Sequence, residues 1–215
     1  VRDDRLRAAL RLLVITDRRL AAPRSPTEVV GAALTAGARA VQLRNKGDSA
    51  RELLAAGAEL RALTRAAGAL LFVNDRLDVA LALEADGVHL GPDDLPVAAA
   101  RAVVPPSFLI GRSADDPEVA RRAVGDGADY IGCGTVYPTR TKADAGAVIG
   151  LAGLERVARA VPVPVLAIGG ITVERAGEVA RTAACGIAVV GAVMSAPDPA
   201  RAVSGFLAPF ATRGV

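Results

Sequence analysis

The stretch VQLRNKG, residues 41–47, holds the only glutamine of the chain (Gln42), one of its two asparagines (Asn45) and one of its two lysines (Lys46). Of 26 lysines plus arginines, 24 are arginine, so a lysine here runs against the chain's habit. The planar fork of Arg44 offers bidentate donors and Lys46 a compact point charge, a pairing suited to a di- or triphosphate-like anion. The second lysine, Lys142, ends YPTRTK (137–142), whose two threonine hydroxyls and terminal cation also fit phosphate. Two carboxylate-bearing stretches, Asn74-Asp75 and Asp93-Asp94, complicate this picture. A carboxylate beside a phosphate repels it by about 4 kcal/mol per charge pair at about 4 Å and an effective dielectric near 20. A divalent cation reverses that sign. Mg²⁺ takes one or two carboxylates together with phosphate oxygens, so Asp75 with Asp93 or Asp94 suffices. Glycines in AIGG (167–170) and VVGA (189–192) allow backbone N–H groups to approach a second anion. His89, the one imidazole, has no nucleophile or carboxylate partner nearby in sequence and reads as a structural hydrogen bonder. Taken singly, each feature has an ordinary alternative: a helix-capping Asp75, a Gly-Pro-Asp-Asp turn, an exposed loop at TRTK. Together they describe an enzyme that works by positioning and by stabilising a leaving group, with no obvious nucleophile or base.

Such residues must be brought together by the fold. Short β-branched runs fall at 11–17, 38–44, 69–75, 86–91, 108–113, 128–136, 164–170 and 186–192. Segments of helical period alternate with them near 26–36, 49–67, 76–85, 95–103, 116–125, 150–160, 172–184 and 198–210. Ser49, Asp116-Pro117-Glu118, Thr172 before Glu174 and Asp198-Pro199 are helix-entry signals, and TAGA, AAGA and GDGA supply glycines after helices. Eight βα units predict an α/β fold, a single (β/α)8 TIM barrel over residues 1–215, with its active site at the C-terminal ends of the strands. An open doubly wound sheet needs a Gly-rich turn after the first strand, which VITDRRL lacks. In the second strand, alternation turns Gln42, Arg44 and Lys46 to the barrel mouth and Val41 and Leu43 to the helices.

Composition narrows the function. Hydrophobic residues make up 52% and mean hydropathy is +0.35, yet no run reaches the roughly 18 apolar residues of a membrane helix. The net charge of +3 is scattered, and aromatics are 3% with no tryptophan, which argues against a nucleic-acid surface. Cys133 and Cys185 lie far apart with no metal-ligand spacing and read as buried reduced thiols. The charged N-terminal segment does not read as a secretory signal, and a cytoplasmic location is expected. Two phosphorylated small molecules are the expected partners, with no nucleic acid and no membrane, and a homodimer is left open.

The chain resembles the thiamine-phosphate synthases over nearly its whole length. The resemblance rests on QLRNK (42–46), VND (73–75), GVHLGPDDLP (87–96), IGRS (110–113), YIGCGTVYPTRTK (130–142), AIGGI (167–171) and the VVGA segment, in this order and spacing. It implies joining of a hydroxymethylpyrimidine diphosphate to a thiazole phosphate, or its carboxylated form, with release of pyrophosphate by Mg²⁺-assisted dissociation. It further implies that Gln42, Leu43, Arg44, Asn45, Lys46, Asn74, Ser113 and Lys142 hold the pyrimidine diphosphate. Of these, Arg44, Lys46 and Lys142 would be catalytic, stabilising charge on the leaving group. Thr139, Arg140, Thr141, Gly170, Val190 and Gly191 would hold the thiazole phosphate, and Asp75 and Asp94 the Mg²⁺. Departures from the family pattern are Gly191 where serine is common, Pro92 for a usual glutamine, Asn45 for a usual glutamate, and Ala-Asp after Ser113. A related thiazole tautomerase uses a histidine in the sixth-strand loop, where this chain has Thr135. A non-catalytic phosphate-binding barrel would need the glycine loops, but not two lysines and a carboxylate pair.

Overall fold

Eight parallel strands pair each with the next, and the last returns to the first to close a barrel in the order β1 to β8. They are β1 (Leu12–Ile15), β2 (Ala40–Leu43), β3 (Leu70–Asn74), β4 (Gly87–Leu90), β5 (Leu109–Ser113), β6 (Tyr130–Cys133), β7 (Val165–Ile168) and β8 (Gly186–Val189). The helices are α1 (Arg2–Ala9), α2 (Arg18–Ala21), α3 (Pro26–Thr35), α4 (Ala50–Ala66), α5 (Leu77–Ala82), α6 (Val97–Val103), α7 (Pro117–Gly125), α8 (Gly150–Ala160), α9 (Val173–Ala180), α10 (Gly191–Met194) and α11 (Pro199–Ala211). The structure, a computed structural model, describes residues 2–139 and 147–211. The (β/α)8 expectation holds. All eight expected strands and the eight helices between and after them are present, with trimmed ends.

Three short helices escaped the sequence reading. Near the chain start, α1 sends Leu6, joined by Leu10 just beyond it, into the cluster formed by Leu13, Ala40, Phe72, Leu109 and Leu166 inside the barrel. It covers the bottom of the barrel with apolar side chains although five of its eight residues are charged. Asp17 accepts from the Arg19 and Leu20 N–H groups and so starts α2 right after the first strand. A four-residue helix, α10, follows β8 directly.

Strand alternation sorts the side chains into two layers. Val41, Leu43, Leu71, Val73, Val88, Leu90, Ile131 and Cys133 face the helices, as expected for Val41 and Leu43. Rings fill the barrel where neighbouring strands carry glycine. A Cβ on Gly111 would stand 2.1 Å from Tyr130 Cζ, and one on Gly132 would stand 3.0 Å from His89 Cε1. Phe72 meets the Tyr130 ring edge-on at 5.2 Å between centroids. Ring volume and missing side chains thus compensate, keeping the interior dense.

Capping follows the expected rules with one exception. Ser49 forms a full capping box with Glu52, and Asp116 accepts from the Glu118 and Val119 N–H groups. Asp198 accepts from the Arg201 N–H. Thr172 occupies the N-cap position of α9 but makes no capping bond. That helix also stops before 184, because the Thr182 hydroxyl donates to Val179 O and accepts from Ala184 N–H, a local side-chain turn in place of the next helical one. At the N-terminal face, Asp86 is matched by Arg61 at 2.7 Å and Asp129 by Arg101 at 2.5 Å, each carboxylate also accepting a strand N–H. Among the described residues no helix is long and apolar enough to cross a membrane.

Candidate active site

The C-terminal ends of β2 to β5 gather the polar residues. Gln42 on β2, Asn74 on β3, His89 on β4 and Ser113 on β5 occupy inward positions of adjacent strands, with Gln42 paired to Phe72, Asn74 to His89 and Ser113 to Gly132. A hydrogen-bond chain runs through them. Burial holds the Tyr130 phenol in its protonated form, and the Gln42 amide bonds its oxygen. The phenol therefore donates onward to His89 Nδ1 at 3.1 Å, which puts the imidazole proton on Nε2, 3.0 Å from Ser113 Oγ. Ser113 accepts there and keeps its own proton for an outside acceptor. With both ring nitrogens engaged, His89 is the hydrogen bonder expected from sequence. Tyr130, which sequence reasoning missed, is the hub of the chain. Its signal was available: an inward ring at alternation distance from Gly132 and beside Gly111 on the next strand.

Strand alternation carries Gln42 inward but not the residues after it, because β2 ends at Leu43. The cause is Thr16, fully buried, whose hydroxyl accepts from Arg44 N–H at 2.9 Å and donates to Arg44 O at 3.3 Å, replacing the next ladder partner. Arg44 and Lys46 reach the mouth from a loop instead. Arg44 lies 3.7 Å from Asp17 Oδ2, and both Arg44 and Lys46 act electrostatically on Asp75. Leu43 does not face the mouth: its side chain packs outward and would touch a Cβ on Gly57 of α4 at 3.0 Å. Only its backbone is available to a ligand. Asn45 Oδ1 accepts from Arg18 N–H at 3.3 Å, and Arg18 pairs with Asp48 at 3.0 Å, which ties the β1 and β2 loops together.

The carboxylates form the most unusual contact of the molecule. Asp75 follows β3 in the left-handed conformation (φ 63°), its N–H donating to His89 O at 2.8 Å. It hydrogen-bonds to Asp94, and burial together with that bond and the Asp94 charge pushes its pKa up to about 6, against the opposing pull of Lys46 and Arg44. Asp94 is set by its own turn, Oδ2 accepting from Gly91 N–H at 2.6 Å. Asp93 stands exposed at the tip of that turn. Of the two aspartates left open by sequence, Asp94 is the one that meets Asp75. At the opposite face of the barrel Asp86 and Asp129 each face an arginine, whereas here two acids face each other. That arrangement calls for a proton or a cation between them.

The other half of the mouth is built from backbone. After β6, Val136 N–H donates to Ile168 O at 2.9 Å and Tyr137 N–H to Gly169 O at 3.0 Å, so the β6 and β7 loops run side by side. Gly169 and Gly170 both have positive φ, 100° and 63°. A Cβ on Gly170 would lie 2.4 Å from Pro138 O, so only glycine lets the loops approach. Thr139 follows Pro138, while Val190 precedes and Gly191 begins α10. Arg140, Thr141 and Lys142 lie outside the described residues. Thr135 is buried against the Gly169 turn. Cys133 is buried, which pushes its thiol pKa up to about 12, and Cys185 is half-buried; neither is in a disulfide.

Known proteins resemble this chain over most of its length. The family described as thiamine monophosphate synthase matches residues 12–193. A thiamine-phosphate synthase of Roseiflexus castenholzii is 53% identical over 86% of this chain and 82% of its own length. The one of Pyrococcus furiosus is 50% identical over 92% of this chain and 93% of its own. The solved thiamine phosphate pyrophosphorylase from Pyrococcus furiosus superposes with a TM-score of 0.86 at 48% identity, covering 94% of this chain and 95% of that one. With the family matched from the first strand to α10 and relatives this similar over most of the barrel, the chain belongs to the thiamine monophosphate synthase family.

Proposed function

We propose that this site joins hydroxymethylpyrimidine diphosphate to a thiazole phosphate, releasing pyrophosphate, with the Asp75–Asp94 pair holding Mg²⁺. The observation that carries the reading is that pair: two acids in contact, flanked by Arg44 and Lys46, at the mouth of the barrel. Their chemistry fits a hard divalent cation, which prefers oxygen ligands and takes the place of the shared proton. Among the described residues no third acid, histidine or cysteine joins a metal-binding group, so substrate phosphate oxygens are left to fill the remaining positions. When bound, Mg²⁺ would neutralise negative charge on the diphosphate.

The reaction then needs no general base. The bond from the pyrimidine methylene carbon to the diphosphate oxygen breaks, its electron pair leaving with pyrophosphate, and the thiazole nitrogen lone pair forms the new C–N bond. Arg44, Lys46 and Lys142 stabilise the charge that gathers on the departing oxygens. Gln42 and Ser113, held in direction by Tyr130 and His89, present an amide and a hydroxyl to the pyrimidine, with Asn74, Asn45 and the Leu43 backbone around it. Thr139, Arg140, Thr141 and the peptide groups of Gly170, Val190 and Gly191 hold the thiazole phosphate. A cytoplasmic setting suits such soluble phosphorylated substrates.

Purified protein given both precursors forms thiamine phosphate and pyrophosphate when Mg²⁺ is added and neither when it is chelated. Absence of product under every metal condition rejects the proposal. The tautomerase reading has less support, since Thr135 stands where that enzyme has its histidine.

A further inference from the structure

The loops after β6 and β7 are joined by more than backbone bonds. From α9, Glu178 Oε2 accepts the Tyr137 hydroxyl at 2.6 Å, and Arg175 lies over the Tyr137 ring, its Cζ 4.4 Å from the centroid. The same guanidinium donates through Nη1 to Gly170 O at 3.1 Å. Both α9 side chains are half-buried. One helix therefore grips the β6 loop by a ring and its hydroxyl, and the β7 loop by a carbonyl. The phenol, pushed up to about 12 by burial and by the Glu178 hydrogen bond and charge, remains a donor at all ordinary pH values.

The consequence for the anion site follows from peptide geometry. In a trans peptide the C=O and the next N–H point in opposite directions. Gly169 O is held by Tyr137 N–H, so the Gly170 N–H points away from Tyr137. Gly170 O is held by Arg175, so the Ile171 N–H points away from α9. Two consecutive positive-φ glycines would otherwise leave these peptide planes free to turn.

Resting on the synthase reading above, we propose that Tyr137, Arg175 and Glu178 are positioning residues: a brace from α9 that aims the Gly170 and Ile171 N–H groups at the phosphate of the second substrate. The brace sets affinity for that phosphate and leaves the diphosphate half of the mouth untouched.

The test compares wild type with Tyr137→Phe, Glu178→Ala, Glu178→Gln and Arg175→Ala by calorimetric binding of the thiazole phosphate alone, steady-state kinetics with both substrates, and thermal melting. The first, second and fourth variants are expected to weaken thiazole-phosphate binding and raise its KM by about five- to twentyfold, the scale of one charge-assisted hydrogen bond. KM for the pyrimidine diphosphate stays within about twofold, a split that general destabilisation would not produce. Glu178→Gln, which keeps an acceptor for the phenol, recovers most of the affinity. Equal changes in both KM values, or unaltered thiazole-phosphate binding in all three disrupting variants, overturns the brace. Wild type that binds the thiazole phosphate but makes no thiamine phosphate rejects the synthase reading alone, and the binding comparison still decides the brace. Wild type that binds no thiazole phosphate rejects both.

Discussion

On β2 to β5 the barrel mouth presents side chains whose charges and protons must be kept in order, whereas on β6 to β8 it presents peptide groups set by glycines. Asp94, Lys46 and Arg44 act electrostatically on Asp75, so its ionisation depends on the charges around it. Gly169 and Gly170 depend on space, since Pro138 O or Thr135 stands within 3 Å of any Cβ they might carry. The difference matches the tasks proposed for the two halves. A leaving group whose charge grows during reaction needs strong, adjustable charges, while a phosphate that stays unchanged needs only fixed donors. One half should fail by loss of charge and the other by loss of shape.

The largest effects are expected on the charged half. Asp75→Asn keeps a residue that tolerates a φ of 63° and removes one carboxylate. Metal-dependent turnover should fall by more than about 10³-fold, beyond the loss of a single oxyanion donor. Lys46→Ala on this half, and Lys142→Ala in the sequence after β6, should each lose about 2.7–4 kcal/mol of transition-state stabilisation, read as kcat/KM for the pyrimidine diphosphate. Unchanged turnover in either lysine variant removes that residue from the mechanism.

A smaller effect should appear as pH dependence on that half alone. The Asp75 carboxyl is raised from 3.8 to about 6 in the folded chain, so folding favours its protonated form. This contribution is complete below about pH 4 and lost as pH rises through about 6. Metal-free wild type should therefore lose, between pH 5 and pH 7.5, a degree or a few of melting temperature that Asp75→Asn does not lose, partial exposure keeping the effect small. Mg²⁺ affinity, which needs the ionised carboxylate, should fall in the opposite sense below about pH 6. Calorimetric titration across that range checks both; a flat profile breaks the assignment of Asp75.

The smallest effect concerns the backbone half. Gly191→Ser adds a hydroxyl at the first residue of α10. KM for the thiazole phosphate should fall by about two- to fivefold, as for one neutral hydrogen bond. A rise would mean that Gly191 leaves room the ligand uses.

Much of this was legible in the residues. The eight βα units, the caps at Ser49 and Asp116 and the inward Gln42 all follow from local periodicity and hydrogen-bonding habit. The end of β2 did not, because Thr16, distant in sequence, takes over the Arg44 backbone. Leu43 packs on the outer face as alternation predicts, with Gly57 leaving room for its side chain, so that only its backbone is left for the mouth. Tyr130 and Glu178 were missed because each matters through a partner 41 positions away, and Arg175 because its place over the Tyr137 ring joins it to a loop distant in sequence.

By itself the sequence determined which chemistry the chain can perform: oxygen ligands for a cation, two lysines against a background of arginine, glycines where anions bind, and a repeating unit that must close into a barrel. These are properties of residue type and spacing. Which aspartate faces Asp75, which way the Ser113 proton points and which peptide planes are turned toward a phosphate were decided only by the tertiary structure. Those choices rest on contacts between strands and loops that are adjacent in the barrel but far apart along the chain, where direction and distance set the energy and sequence carries neither.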